Sequence, residues 1–233
     1  MEAKFRKKLS DYKYLVMFDL ASKTTGVCIW DVAHGEPVAS TAIVVPDRVD
    51  NRARGLWDAL DDFFVRFALP LGVSQENAIV HRELCPLQQG RFTTAKTLIA
   101  LGKAHAVLDL YLAEKGWDYY DLDGVSPSTT HAFFRRIRGL TPKDKVEKED
   151  MRSYLAEEYG IDPKIGLDES DAIFLAKTFA ESFWDKELDD EMRNERRHIK
   201  GLKAPAAIRA GRERLEFLAS LKIGKADKEA KDG

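Results

Sequence analysis

Four carboxylates stand where ordinary folding would not require them. Asp19 lies in the apolar run YLVMFDLA. A continuous run of this kind suits a strand buried on both faces, where a carboxylate is costly unless paired, hydrogen-bonded or metal-bound. Glu83 ends a second apolar run, AIVHREL. Its neighbour Arg82 is a poor partner, because adjacent strand residues point to opposite faces. Asp168 and Asp171 lie three positions apart in GLDESDAIFLAKTF, which puts both on one helix face. Each acid alone also has a structural reading. Asp19 can end its strand and begin the turn through Ser22 to Thr25, Glu83 can be a plain strand-end residue, and Asp168 can be an N-cap.

Taken together, two strand ends and a helix N-terminus can present all four acids to one point at the edge of a sheet. Carboxylates so gathered repel and desolvate one another, and they call for a divalent cation. Oxygen-only ligands favour Mg²⁺ or Mn²⁺ over Zn²⁺, and no CxxC or HxxxH spacing offers a thiolate or imidazole alternative. Two such ions about 4 Å apart activate a water and stabilise the leaving oxygen in phosphodiester hydrolysis. The chemistry indicated is that of a metal-dependent nuclease.

Three short runs, residues 14–21, 25–32 and 38–45, are rich in β-branched and aromatic side chains and are separated by turn residues. They predict a three-stranded antiparallel meander. Residues 51–71 carry helical periodicity through Leu56, Leu60, Phe63, Phe64 and Phe67, and 78–84 is a fourth strand. A long helix follows from Thr93 to Lys115, then a fifth strand over 117–123. Ser126 as N-cap and Pro127 at the first position open another helix. Two more helices are expected over Lys145–Tyr159 and from Glu169 to about Asp185. The order predicts an α/β domain with a five-stranded mixed sheet, three antiparallel strands and then parallel ones, flanked by helices.

The chain has 233 residues, 44% of them hydrophobic, enough for one substantial domain and too apolar for wholesale disorder. No apolar run approaches the ~18–20 residues of a membrane span; FFVRFALPLGV is broken by Arg66 and Pro70. The N-terminal MEAKFRKKLSDYKYL is basic with no apolar segment behind it, which points away from secretion. Cys28 and Cys85 sit inside apolar runs, as reduced thiols of a cytoplasmic protein would. A net charge of −2 argues at first against a nucleic-acid partner. That sum conceals a split: residues 147–191 hold 15 acidic and 5 basic side chains, whereas 192–225 hold 10 basic and 3 acidic. Such segments create separate fields, and a basic arm is a common nucleic-acid contact; a solvated, salt-bridged helix pair is the plainer use of the same charges.

The order FDLASKTTGVCIWD, VHREL, TLIALGKAHAVLDLYL, PKDKVEKEDM and LDESDAIFLA resembles the RuvC family of Holliday junction resolvases, which have the RNase H-like fold. The resemblance spans residues 14–184. Outside it, composition predicts a basic N-terminal extension over 1–13 and a charged C-terminal extension, helical and then disordered, over 185–233, neither with a counterpart in the family. By position, Asp19 is similar to the family's first-strand acid, Glu83 to its second, and Asp168 and Asp171 to the pair opening the last core helix. Together they would bind two Mg²⁺, with Mn²⁺ substituting. Lys145 resembles the active-site lysine that supports the scissile phosphate, and the helix around Gly102–Leu112 resembles the one that forms the family's homodimer interface. The loop after Glu83 is a few residues longer than in typical bacterial members, and Phe92 matches the aromatic that wedges into the junction. The extra length at both ends resembles a divergent, viral-type member. The activity implied is crossover-junction endodeoxyribonuclease, on branched DNA and chiefly four-way junctions, with no nucleotide cofactor and no membrane partner.

Residues near the acids suit DNA independently of the resemblance. CPLQQGRFTTAK supplies Gln88, Gln89, Arg91, Phe92 and Lys96, a polar loop able to touch phosphate while an aromatic stacks on an unpaired base. Phe92 suits a hydrophobic staple equally well. Lys103, Arg135, Arg136, Arg138, Lys143 and Lys145 add positive charge, and His81, His105 and His131 read as packing or surface residues. Two other classes share features with this chain. Sugar kinases and actin-like ATPases also open with a strand bearing Asp and a Thr-Gly turn, here DLASKTTG, but usually need a second such domain and a Gly-rich nucleotide site. A branched-DNA-binding protein that does not cleave would keep the fold without needing all four acids.

Overall fold

The computed structural model describes residues 9–21, 23–45, 52–84, 94–117 and 125–182. The chain divides into two compact units, Met1–Ala180 and Glu181–Gly233; almost all described residues belong to the first. A mixed sheet forms its centre, built from β1 (Tyr14–Asp19), β2 (Thr24–Asp31), β3 (Glu36–Val44) and β4 (Ala78–Arg82) in the order β3-β2-β1-β4. β1 pairs antiparallel with β2 and parallel with β4, and β2 pairs antiparallel with β3. β1 is therefore an inner strand, and Leu15, Val16, Met17 and Phe18 are all fully buried, as an unbroken apolar run requires.

The meander and the fourth strand match expectation to within a few residues. The described residues contain four strands. The expected fifth, 117–123, lies outside them apart from Trp117, while just beyond it Val125 makes a parallel bridge with Glu83.

Side-chain alternation divides the sheet into two faces. Tyr14, Val16, Phe18 and Leu20 join one apolar cluster with Leu56, Leu60, Phe63, Phe64 and Leu108, from helices α1 (Arg52–Asp62) and α2 (Ala95–Lys115) and the segment between them. The helix expected over 51–71 is not continuous. After Asp62 it widens into a π-helical turn, Phe63–Ala68, and tightens into a 3₁₀ turn, Leu69–Leu71. Pro70 cannot donate the next helical hydrogen bond, and Gly72, at φ 77°, ends the segment in the left-handed region. The wide turn sets Phe63 and Phe64 with ring centroids 5.9 and 6.2 Å from Phe18, and Phe64 stacks on Tyr111 at 5.6 Å. Burying each such ring contributes roughly 1.5–3 kcal/mol.

The other face carries Leu15, Met17, Cys28, Trp30 and His81. It meets α4 (Lys148–Tyr159) and α5, residues 167–182, while α3 (Pro127–Ile137) packs on those helices through Phe133 and Phe134 against Phe174 and Tyr154. Trp30 packs edge-on against Tyr159 at 5.7 Å, and His81 lies 4.3 Å from the Phe179 ring. Helix starts follow capping chemistry. Ser126 accepts from the Thr129 N–H at 3.1 Å, with Pro127 in the first turn, and Thr94 accepts from the Thr97 N–H at 3.2 Å. Two starts differ from expectation. α4 begins at Lys148, not Lys145, because the Glu147 N–H is held by the Asp150 carboxylate at 2.8 Å. α5 begins at Leu167, so Asp168 sits inside the first turn rather than capping it.

Candidate active site

Asp19 and Glu83 sit at the carboxyl ends of adjacent parallel strands. The Glu83 N–H donates to the Phe18 carbonyl at 2.9 Å, which extends the β1–β4 register by one residue and places Glu83 beside Asp19. Their side chains are hydrogen-bonded to each other. Both have the same parity as Met17 and His81, so both face α5. Arg82, one residue earlier, points away to the other face and pairs with Asp109 on α2, as alternation demands.

α5 brings the second pair of acids. Gly26 stands opposite Asp19 in the β1–β2 register, and α5 approaches it so closely that a Cβ there would lie 1.8 Å from the Asp168 carbonyl oxygen. Ser40 on β3 donates to Glu169, fixing the same turn from the neighbouring strand. Asp171, one helical turn on, is partly buried and pairs with Lys148 from the first position of α4. Asp19 feels both Asp171 and Asp168, and His131 on α3 acts on Asp171.

The electrostatics are those of acids lacking countercharge. Burial pushes Asp19 up to about 6; the neighbouring Asp171 and Asp168 add to the rise, while Glu83 and Lys148 oppose it. Burial, followed by the charge and hydrogen bond of Asp19, pushes Glu83 up to about 8. Glu83 therefore keeps a proton at neutral pH and donates it to Asp19. Asp171 is also raised, chiefly by burial, against the pull of Lys148. Burial works to lower Lys148, but Asp171, Asp19 and Asp168 outweigh it and hold the ammonium above its ordinary value.

As placed, no three acid, histidine or cysteine side chains among the described residues form a closed cage for an ion. The donor set still fits a divalent cation chemically. It is all oxygen and partly desolvated, and a shared proton and one ammonium offset only part of its negative charge.

The structure thus brings together Asp19, Glu83, Asp168 and Asp171, but the lysine among them is Lys148. Lys145 pairs instead with Glu147, its side chain 83% exposed. Lys143 is exposed on the same loop, and Lys96 and Lys103 are exposed on α2. Gln88, Gln89, Arg91 and Phe92 lie outside the described residues. Gly26 and Lys148 are the positions that sequence reasoning passed over. An isolated glycine within a strand pattern was the available signal for the first, since it often marks a close backbone approach.

No family model and no curated protein matches this chain. Solved structures do. Thermus thermophilus RuvC in complex with a Holliday junction substrate is similar at TM-score 0.51 and 13% identity, over 72% of this chain and 92% of that one. A second Thermus thermophilus RuvC structure gives 0.50 and 13%, over 72% and 93%. The yeast mitochondrial Holliday junction resolvase gives 0.48 and 13%, over 73% and 78%. At this identity the two Thermus thermophilus structures establish a shared RuvC-like, RNase H-like fold, and nothing about a viral source.

Proposed function

We propose that this chain is a Mg²⁺-dependent, structure-selective endodeoxyribonuclease that resolves four-way DNA junctions by hydrolysing phosphodiester bonds. The carrying observation is the meeting of Asp19, Glu83 and Asp171, with Asp168 in electrostatic reach, at the carboxyl ends of β1 and β4, where open α/β sheets place their ligands. The fold's likeness to a resolvase solved with its junction supports the choice of substrate.

Asp19, Glu83, Asp168 and Asp171 would hold two Mg²⁺, with Mn²⁺ as substitute. The bound ions supply Lewis-acid activation of water and stabilisation of the leaving oxygen. The chain's own residues do the rest. Glu83 gives up its proton and Lys148 yields its place beside Asp171, so the acids become available only when countercharge arrives. Lys148 then faces the scissile phosphate from the head of α4, with Lys145 and Lys143 as phosphate contacts on the approach loop. Gly26 keeps Asp168 and Asp171 at reacting distance from the strand ends. The junction's near two-fold symmetry suits a homodimer with one site per opposed strand, and the exposed Ile99 and Leu110 on α2 supply an apolar face for it.

A cleavage assay with Mg²⁺ on a synthetic four-way junction, beside linear duplex, flap and RNA–DNA hybrid, tests the reading. Paired, symmetric nicks confined to the junction are expected, with Asp19→Asn binding the junction but not cutting it. Equal cutting of linear duplex, or persistent cleavage by Asp19→Asn, would overturn it.

A further inference from the structure

Across the sheet from α5, a groove of about 670 Å³ runs between the N-terminal parts of α1 and α2 and reaches Ala21 just past β1. Four cationic side chains line it, Lys23, Arg52, Lys96 and Lys103, and none of its described lining residues is acidic. All four are exposed. Its floor is apolar, through Leu56 and Val107. Cations over an apolar floor do not suit a bare ion, which needs polar groups on every side. They suit a chain that alternates anionic groups with apolar surface, as phosphates alternate with sugars and bases.

The groove's position narrows the choice. Ala21 is two residues beyond Asp19, at most about 7 Å along an extended chain. That is about two 3.4 Å rises along a DNA strand. A strand whose phosphate lies at Asp19 can therefore pass over the carboxyl end of β1 and enter the groove within a few nucleotides. We propose that this groove holds the backbone of the DNA strand flanking the bond to be cut. The proposal rests on the nuclease reading above and adds the path of the substrate strand. Lys96 and Lys103, two turns apart on one face of α2, follow from it as phosphate contacts.

The test measures binding of the full chain without divalent metal, to a four-way junction across a series of salt concentrations. The probes carry neutral methylphosphonates at successive phosphates flanking the cut. Each phosphate contact releases about 0.7–0.9 counterion, so Lys96→Ala/Lys103→Ala should lower the slope of log K against log salt by about 1.4–1.8. The wild-type chain should lose affinity at the methylphosphonate positions the groove holds, and the double variant should lose none further there. Lys96→Arg/Lys103→Arg should restore both effects, which separates charge from folding. An unchanged slope, or a methylphosphonate profile identical in wild type and variant, would overturn the groove. So would loss of poly-glutamate binding with DNA binding intact, which would assign the groove to an acidic peptide. Failure of the nuclease reading reads differently: the wild type would bind DNA through the groove yet cut nothing with Mg²⁺.

Discussion

Gly26 on β2 lies directly against Asp168 on α5: a methyl group on its Cα would stand 1.8 Å from the Asp168 carbonyl oxygen and 3.2 Å from the Ala172 side chain. The helix that carries two of the four acids is seated on the one strand position with no side chain to hold it off. Gly26→Ala therefore cannot be absorbed by a rotamer change, because the obstacle is backbone. α5 must shift by an ångström or more, at a cost of about 1–3 kcal/mol. A displacement of that size at a reacting centre costs on the order of 10²-fold in rate. The expected outcome is a protein still folded at 25 °C, with a lowered melting temperature and cleavage reduced about a hundredfold at full DNA occupancy. A fully active Gly26→Ala would show that the approach of α5 does not set the site.

The shared proton of Asp19 and Glu83 gives stability a distinct pH dependence. Their ordinary values, 3.8 and 4.5, rise in the folded protein to about 6 and about 8. Below about pH 4 folded and unfolded chains both carry these protons, and their contribution is fully present. As pH rises through 6 and then 8, the fold must hold ionised carboxylates in a desolvated site, and that stability is lost. Without divalent metal, melting temperature should fall between about pH 5 and about pH 8.5. Mg²⁺ should raise it more at the higher pH, because there it replaces no proton. Asp19→Asn should flatten both trends. A Mg²⁺ effect of equal size at both pH values would count against the four acids as its ligands.

Lys148 and Lys145 separate by experiment as they do in space. Lys148 sits on Asp171 and opposes protonation of Asp19 and Glu83, whereas Lys145 pairs with Glu147 in solvent. Lys148→Met should cut the rate by about 10²-fold, the order found for losing one fixed transition-state donor, and should move the acid limb of the pH–rate profile upward. Lys145→Met should chiefly weaken DNA binding, lowering the salt slope by about one contact's worth. A larger rate loss with Lys145→Met than with Lys148→Met would reverse the two roles.

Much of this arrangement is legible in the sequence, and the parts that are not share a cause. β1 and β4 announce themselves as apolar runs, and an acid at the end of each is conspicuous because its neighbours exclude water. Strand alternation correctly sends Arg82 away from Glu83, to Asp109. Ser126 and Pro127 mark the start of α3 through local chemistry alone. The start of α4 is different. A glutamate precedes the helix and an aspartate answers it, a weaker signal than Ser or Thr, and the three-residue error moves attention from Lys148 to Lys145. The break after Asp62 is tertiary: Phe63, Phe64 and Phe67 have helical spacing, and the packing of the first two against Phe18 coincides with the wider turn. Gly26 reads equally as a turn glycine or a strand glycine, and only the helix above it decides.

The α2 surface carries the last prediction. Ile99 and Leu110 are 61% and 65% exposed, and Gly102 and Ala106 fall between them on the same helical face. Large aliphatic side chains flanking small ones allow two such helices to approach closely and interlock, a contact that isolated solvent-facing leucines do not make. α2 also packs through its opposite face, by Leu108 and Tyr111, against the cluster behind β1, so a second chain docked here would be held rigidly relative to the acids. Ala106→Glu/Leu110→Glu, both outside the cationic groove that Ile99 also lines, places like charges across that contact and should convert a dimer to monomer in sedimentation equilibrium, with little change in melting temperature measured at dilution, since both positions are already solvated in the single chain. The functional consequence is specific. A monomer retains its acids and should still nick, but the two opposed nicks should lose their coupling, so singly nicked junctions accumulate in place of paired products. A wild-type chain that sediments as a monomer, or a double variant that still yields paired cuts, would remove α2 from the dimer interface.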